Sequence, residues 1–365
     1  MKLNRKFAFT ALIGLLLAVC SSAVAAMNQA ESAPMAVKLL KPGRPVSRSM
    51  AGKSRHIYMV RLKKGMFLGL TVDQRDVDVT TEVIAPDSTS LGKFDAPTSE
   101  RGVESVRIGA DVPGEYRIEV FTASELAGPG RYTIKIKEMR KATKRDAQIL
   151  KAAGLLQEAI RLRMKPETRK DAIPVYERAA YIWRKLRLPA DEASALRAIA
   201  FVYQREDEID KAREYFGKAL EIWERIGDTR SAAFTHVIYG VYSRRQKDFR
   251  AALAHDLRAR KLWLKANDRP EQTHNLVQIG DDYLSLGERT RAFKSFQQGL
   301  DLIRRIGRKS IEAQVLNKYG DAHAKVGNKA EALKMYRRSV ELWKLFNQDN
   351  IAAGVEKKIA KLSTD

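Results

Sequence analysis

Ala190–Thr229 reads ADEASALRAIAFVYQREDEIDKAREYFGKALEIWERIGDT, and Pro270–Lys309 reads PEQTHNLVQIGDDYLSLGERTRAFKSFQQGLDLIRRIGRK. Aligned end to end, the two 40-residue stretches carry small residues, aromatics and turn residues in the same columns. The register reaches well beyond them. Trp183, Trp223, Trp263 and Trp343, all the tryptophans of the chain, fall on one 40-residue grid whose remaining point is Ile303. Ala172, Ala212, Ala252, Ala292 and Ala332 form one column, and Ala200, Gly240, Gly280, Gly320 and Ala360 a second. Four residues after the grid stand Gly227, Asn267, Gly307 and Asn347, with Arg187 departing in the first unit. Glycine and asparagine suit the left-handed conformation that ends a helix. Self-similarity at such a period marks stacked units, none of which buries its own apolar face. A function carried by a surface is therefore expected, not a reaction.

Within the unit Ala190–Thr229, Leu196, Ile199, Ala200 and Tyr203 mark the inner stripe of a first helix, and Ala212, Phe216, Ala219 and Leu220 that of a second. Short polar turns separate the two, such as Glu206-Asp207-Glu208, Gly287-Glu288 and Gly327-Asn328. The units span about 150–189, 190–229, 230–269, 270–309 and 310–349, and one further helix runs to about Leu362. That helix keeps Ala353, Ile359 and Ala360 in register and is expected to turn Lys357, Lys358 and Lys361 outward as a solubilising cap. Pro174 predicts a kink or a late start for the second helix of the first unit.

Upstream, from 37 to 140, the pattern changes to short alternating runs: His56–Leu62, Met66–Val72, Val77–Ala85, Ser105–Ile108, Glu115–Phe121 and Tyr132–Ile136. Turn signals such as Lys63-Lys64-Gly65 and Val112-Pro113-Gly114 separate them. This predicts an antiparallel β-sandwich of seven or eight strands. Tyr116, Ile118 and Val120 share one face of their strand against Arg117 and Glu119, and Tyr132, Ile134 and Ile136 repeat the split against Lys135 and Lys137. The expected fold is thus β plus α, a sandwich at 37–140 followed by an all-α solenoid at 141–365.

Residues 1–26 carry Lys2, Arg5 and Lys6, an apolar run from Phe7 to Val19, and the small residues Ser21 to Ala26. They read as a secretory signal peptide cut after Ala25 or Ala26, with a flexible leader at 27–36. Anchoring through Cys20 is the alternative, and Val19 before it fits that poorly. Cys20 is the only cysteine, so the mature chain has none, as suits a periplasmic or extracellular protein of a bacterial envelope. Of the net charge of +23, residues 141–365 hold +16, from 46 basic against 30 acidic residues. Such a field attracts anionic partners.

The column order resembles that of tetratricopeptide repeats: a small residue, then an aromatic three later, alanine twelve later, an aromatic sixteen later and a small residue nineteen later. Gly280, Tyr283, Ala292, Phe296 and Gly299 carry it, as do Ala200, Tyr203, Ala212, Phe216 and Ala219. The unit 230–269 departs, with Ser243 and Asp256 at the aromatic places. The spacing is similar to the extended variety in kinesin light chain-type arrays. The first domain, through His56–Leu62, Gln74–Val79, Ala85-Pro86-Asp87 and Pro113–Val120, resembles the pre-peptidase C-terminal-like sandwich. In secreted bacterial proteins of this layout a caspase-like peptidase domain of the CHAT type often follows. No such segment is present in these 365 residues, so its activity is not carried over.

Catalytic residues, cofactor and metal are all expected to be none. His56, His236, His255, His274 and His323 are dispersed, and no serine stands in a glycine-flanked elbow. Asp73, Asp76 and Asp78 lie along a strand-like segment without a loop to gather them around calcium. The tryptophans read as wedges between repeats. The tetratricopeptide resemblance implies a groove lined by first helices. Its matching positions are Arg197, Phe201 and Arg205; Phe234, Val237, Ile238, Val241, Arg244 and Arg245; Gln278 and Asp281; and Asn317, Lys318, Asp321 and Lys325. An apolar floor with arginines on its rim suits an extended or helical protein segment with acidic flanks. The expected role is a non-catalytic envelope scaffold or adaptor. The alternatives are the regulatory subunit of a caspase-like peptidase on another chain and an electrostatic binder of anionic polymers. No specific nucleic acid is expected as a partner.

Overall fold

In the computed structural model, residues 37–94, 101–122 and 129–364 are described; the expected signal peptide and leader fall outside them. The chain divides between Ala142 and Thr143 into two compact units.

Among the described residues the first unit holds nine strands: β1 Lys38–Leu39, β2 Val46–Met50, β3 Arg55–Leu62, β4 Met66–Arg75, β5 Thr80–Ile84, β6 Ser90–Phe94, β7 Arg101–Gly109, β8 Gly114–Phe121 and β9 Gly130–Lys141. They form two sheets, ordered β1-β3-β8-β5-β6 and β2-β9-β4-β7. The core is made by the period-two faces: Tyr58, Val60 and Leu62 with Tyr116, Ile118 and Val120 from one sheet, and Leu68, Leu70 and Val72 with Tyr132, Ile134 and Ile136 from the other. Three expectations are corrected. The strands exceed the seven or eight counted, because β1, β2 and β6 are too short or too polar to show an apolar alternation. Nor is every pairing antiparallel, since β1 runs parallel to β3. The Asp73–Asp78 segment is not one strand either. Asp73 ends within β4, and Asp76 turns the chain with φ 63°, in a left-handed conformation.

The second unit holds eleven helices: α1 Lys144–Met164, α2 Ala172–Lys185, α3 Pro189–Arg205, α4 Ile209–Ile226, α5 Thr229–Arg245, α6 Phe249–Ala266, α7 Arg269–Ser285, α8 Arg289–Ile306, α9 Lys309–Lys325, α10 Lys329–Leu345 and α11 Asp349–Thr364. They make five helix pairs and a terminal helix. The first pair begins at Lys144, before the expected 150, on a Thr143–Asp146 capping box. A 3₁₀ turn at Pro166–Thr168 follows α1. The late start predicted from Pro174 is present. On the 40-residue grid α2 would begin at residue 169, yet it begins at Ala172 and places Pro174 in its first turn, where no amide partner is lost.

Each second helix ends at the grid. Gly227, Asn267, Gly307 and Asn347 take φ of 74°, 52°, 78° and 54°, and after Gly227, Asn267 and Asn347 the following amide reaches back to a tryptophan carbonyl, as in Asp228 to Trp223 at 2.9 Å and Gln348 to Trp343 at 3.1 Å. Arg187, set apart by sequence, adopts the same conformation with φ 53°, and Leu188 donates to the Trp183 carbonyl at 2.9 Å. The ring of every grid tryptophan is buried, as is Ile303. The small column packs against the aromatic one. A Cβ at Gly280 would meet Phe296 at 2.9 Å, and one at Gly320 would meet Tyr336 at 2.5 Å.

Candidate functional site

The sequence-predicted groove residues sit on α3, α5, α7 and α9, and they divide into two chemically different halves. On α3 and α5 the face is apolar. Phe201 is half-buried, meets Phe216 edge-on at 5.1 Å between centroids and lies 6.5 Å from Phe234. Val237 and Val241 are half-buried beside them, and Ile238 is buried. Arg205 and Arg245 are exposed at the C-terminal ends of their helices, where a cation also complements the helix dipole.

On α7 and α9 the face is polar and largely satisfied from within. Lys358 of α11 donates to Asn317 at 2.9 Å and to Asp321 at 2.6 Å, while Tyr336 donates to the same Asp321 oxygen at 2.7 Å. Burial pushes Asp281 up to about 6, against the opposing charges of Lys318 and Arg244. Gln278 is half-buried and its Oε1 has no partner, whereas Lys318 and Lys325 are exposed.

Three expectations are overturned. Arg197 is not on a rim: it is 5% exposed, stacks over the Trp223 ring at 5.0 Å, and its burial lowers the guanidinium to about 10. Arg244 is not free either, because Asp256 and Asp282, both with side chains 0% exposed, hold it at 2.5 and 2.9 Å. Last, α11 buries Ala352 and Val355 rather than Ala353 and Ala360, which turns Lys358 inward onto Asp321. Sequence reasoning took Asp256 for a lapse at an aromatic position. Its partners lie 12 and 26 residues away, so no local spacing exposed the network.

Two of the dispersed histidines meet. His236 Nδ1 and His255 Nδ1 lie 3.3 Å apart across α5 and α6, and Glu224 stands 3.8 Å from the other nitrogen of His236. The ring centroids are 5.5 Å apart, so the nitrogens face each other along the line between the rings. That is the geometry of an N–H···N hydrogen bond rather than of two lone pairs converging on a metal. Burial, helped by His236, Arg258 and Arg213, pushes His255 down to about 4 and keeps it neutral. Among the described residues no group of three or more histidine, cysteine or acidic side chains is gathered as a metal would require.

Residues 191–265 and 271–344 match the family model described as tetratricopeptide repeat. Over those residues, from α3 to α10, the helices form a solenoid like that of tetratricopeptide repeats. Among solved structures, similarity extends to BtubC of P. vanneervenii (17% identity, covering 56% of this chain and 93% of that one, TM-score 0.42). PilF of Pseudomonas aeruginosa is similar at 23% identity, covering 60% of this chain and 91% of its own, with a TM-score of 0.36. The β unit has a neighbour in the pre-peptidase C-terminal domain of collagenase from Bacillus anthracis (15% identity, covering 29% of this chain and 99% of that one, TM-score 0.25). No curated protein matches the chain.

Proposed function

We propose that the array is a non-catalytic scaffold of the bacterial envelope that receives an amphipathic segment of a partner protein on α3 and α5. Repeat arrays of this kind present extended concave surfaces suited to binding another protein. The observation that carries the reading is the half-buried Phe201–Phe234 pair flanked by exposed Arg205 and Arg245. Apolar anchors with charge at their margin suit a helix or strand that brings its own apolar face and acidic flanks. The other cations assigned to the groove by sequence do not bear on such a partner equally. Arg197 and Arg244 are committed inside the protein and the exposed Lys318 and Lys325 lie on α9, which leaves Arg205 and Arg245 as the sequence-assigned cations beside the α3–α5 face.

The test uses fluorescence anisotropy with two labelled peptides that share a Leu/Phe face and carry either glutamate or lysine flanks. The glutamate-flanked peptide is expected to bind the intact chain, with affinity falling as salt rises. Arg205→Glu together with Arg245→Glu should reverse the preference towards the lysine-flanked peptide, and Phe201→Ala should weaken both. Binding that ignores peptide charge, or that survives both changes, refutes the site. The net +16 of residues 141–365 supports a second reading, adhesion to anionic polymers. Equal capture of any polyanion, lost at physiological salt, would favour it.

A further inference from the structure

At the junction of the second and third repeats, Phe216 and Tyr242 bring their ring centroids to 6.2 Å. Forty residues on, the same two positions hold Asp256 and Asp282, whose side chains are fully buried. Arg244 joins them. Its Nη1 donates to Asp256 Oδ2 at 2.5 Å and to the two Asp282 oxygens at 3.0 and 2.9 Å. An aromatic joint is thereby replaced by a carboxylate–guanidinium–carboxylate joint. Gly240 provides the room, for a Cβ there would lie 2.9 Å from Asp256 Oδ1, where the preceding repeat has Ala200.

Further polar groups lie at this junction, beside the buried Trp263 and Leu276. Arg230 pairs with Asp268 at 3.2 Å, and Gln272 Nε2 donates to the Trp263 carbonyl at 3.0 Å. Asn275, 1% exposed, leaves both amide atoms without a partner, as do Asp256 Oδ1, Arg244 Nη2 and Trp263 Nε1. The apolar clusters stop on either side. One gathers Ala200, Phe216, Ile238 and Tyr242, another Ala233, Ala259 and Trp263, and a third runs from Val277 through Ile303 and Trp343 to Val355; none of the three crosses from α6 to α7. Buried ion pairs add little beyond their desolvation cost, and unpartnered buried polar groups are destabilising. In a repeat array stability is a sum of repeat and nearest-neighbour terms, so separation starts at the least cohesive interface.

We propose that the array is hinged between its third and fourth repeats, with the Arg244–Asp256–Asp282 triad as the latch, so that the helices up to Ala266 and those from Arg269 onward open as separate cooperative blocks. The charged groups facing Asp256 are Arg244 from α5 and Asp282 from α7. Burial, aided by Asp282, pushes Asp256 up to about 7 against the pull of Arg244. Below neutrality its retained proton bridges the two carboxyls. Above it, two buried carboxylates share one guanidinium and the latch loosens.

Hydrogen exchange of the full chain, read by mass spectrometry across a urea series at pH 6 and pH 8 and corrected for intrinsic rates, tests the hinge. Amides of α5 and α6 are expected to lose protection at a different urea concentration from those of α7 and α8, with rates at fixed urea differing by about tenfold or more. Raising the pH from 6 to 8 should speed exchange in α7 roughly tenfold, the equivalent of one pK unit. Grafting the preceding junction, with Arg244→Gln, Asp256→Phe and Asp282→Tyr to match Gln204, Phe216 and Tyr242, should merge the two blocks into one. Asp256→Asn, which keeps a neutral donor towards Asp282 and adds no bulk, should remove the pH response even if the graft fails to fold. The hinge is overturned by one common loss of protection across Asn267 in the unaltered chain, by two blocks persisting in the graft, or by an unchanged pH response in Asp256→Asn.

Discussion

Gly320→Ala sets two effects of opposite sign against each other. Replacing a glycine inside a helix by alanine gains about 1 kcal/mol of helix propensity. Here the new methyl would lie 2.5 Å from Cε1 and 2.6 Å from Cδ1 of Tyr336, well inside contact distance. The ring has little freedom to withdraw. It is 2% exposed, donates its hydroxyl to Asp321 at 2.7 Å and lies under the Lys358 ammonium at 5.5 Å. Overpacking of this kind costs about 1–3 kcal/mol, and a ring that swings aside forfeits a hydrogen bond to a charged group worth about 1.5–3 kcal/mol. The clash wins, and the net loss should be about 0.5–2 kcal/mol once the propensity gain is subtracted, or roughly 2–4 °C of Tm for each kcal/mol in a unit of this size. Gly154→Ala is the control, because nothing lies within 4 Å of a Cβ at that exposed position of α1 and the propensity gain stands alone. Urea unfolding followed by far-UV circular dichroism separates the two variants, and Tyr336→Leu in the Gly320→Ala background should recover part of the loss. Were Gly320→Ala as stable as the parent, the close approach of the small and aromatic columns would not be what fixes repeat packing.

Two further outcomes follow from single side chains. Trp223→Ala should cost about 3–5 kcal/mol, since the ring is 1% exposed and its removal leaves the Arg197 guanidinium buried without its π partner; urea midpoints measure this, and an equally stable variant contradicts a buried wedge. His255 has its folded pKa lowered from 6.5 to about 4, so between those values the unfolded chain binds the proton and stability falls as the pH drops. His255→Gln should flatten that fall by about 1–3 kcal/mol between pH 7 and pH 4.5, and an identical pH profile would show that the pair does not resist protonation.

The repeat grid was legible because the same contact recurs every 40 residues, so Trp183 and its successors, the small column and the left-handed caps reinforce one another in the sequence. The β unit was legible where strands bury one face, as at Tyr116–Val120, and illegible where a short strand such as β2 alternates serine with only Val46 and Met50. Arg187 showed the limit of reading conformation from residue type: the Trp183 carbonyl and the helix packing impose φ 53° on a side chain that does not prefer it. The site was harder, because a position on the right helix face says nothing about what arrives from the next repeat. Arg197, Arg244 and Lys358 occupy the expected helix positions, and each is turned inward by a partner that only the fold supplies: Trp223, the two aspartates and Asp321. Arg205 and Arg245 lie exposed at their helix ends, and the peptide assay decides whether they bind.

The tryptophan grid gives the molecule an optical label of unusual selectivity. With every tryptophan in the array and none before Trp183, emission excited selectively at tryptophan, beyond the absorption of Tyr58, Tyr116 and Tyr132, originates in the helical unit alone. Three of the four emitters precede Asn267 and one follows it, and all four are buried, so opening of either end shifts a separate part of the emission to the red. Phenylalanine at positions 183, 223 and 263 would leave Trp343 as the lone lamp of the C-terminal repeats, with no foreign dye attached.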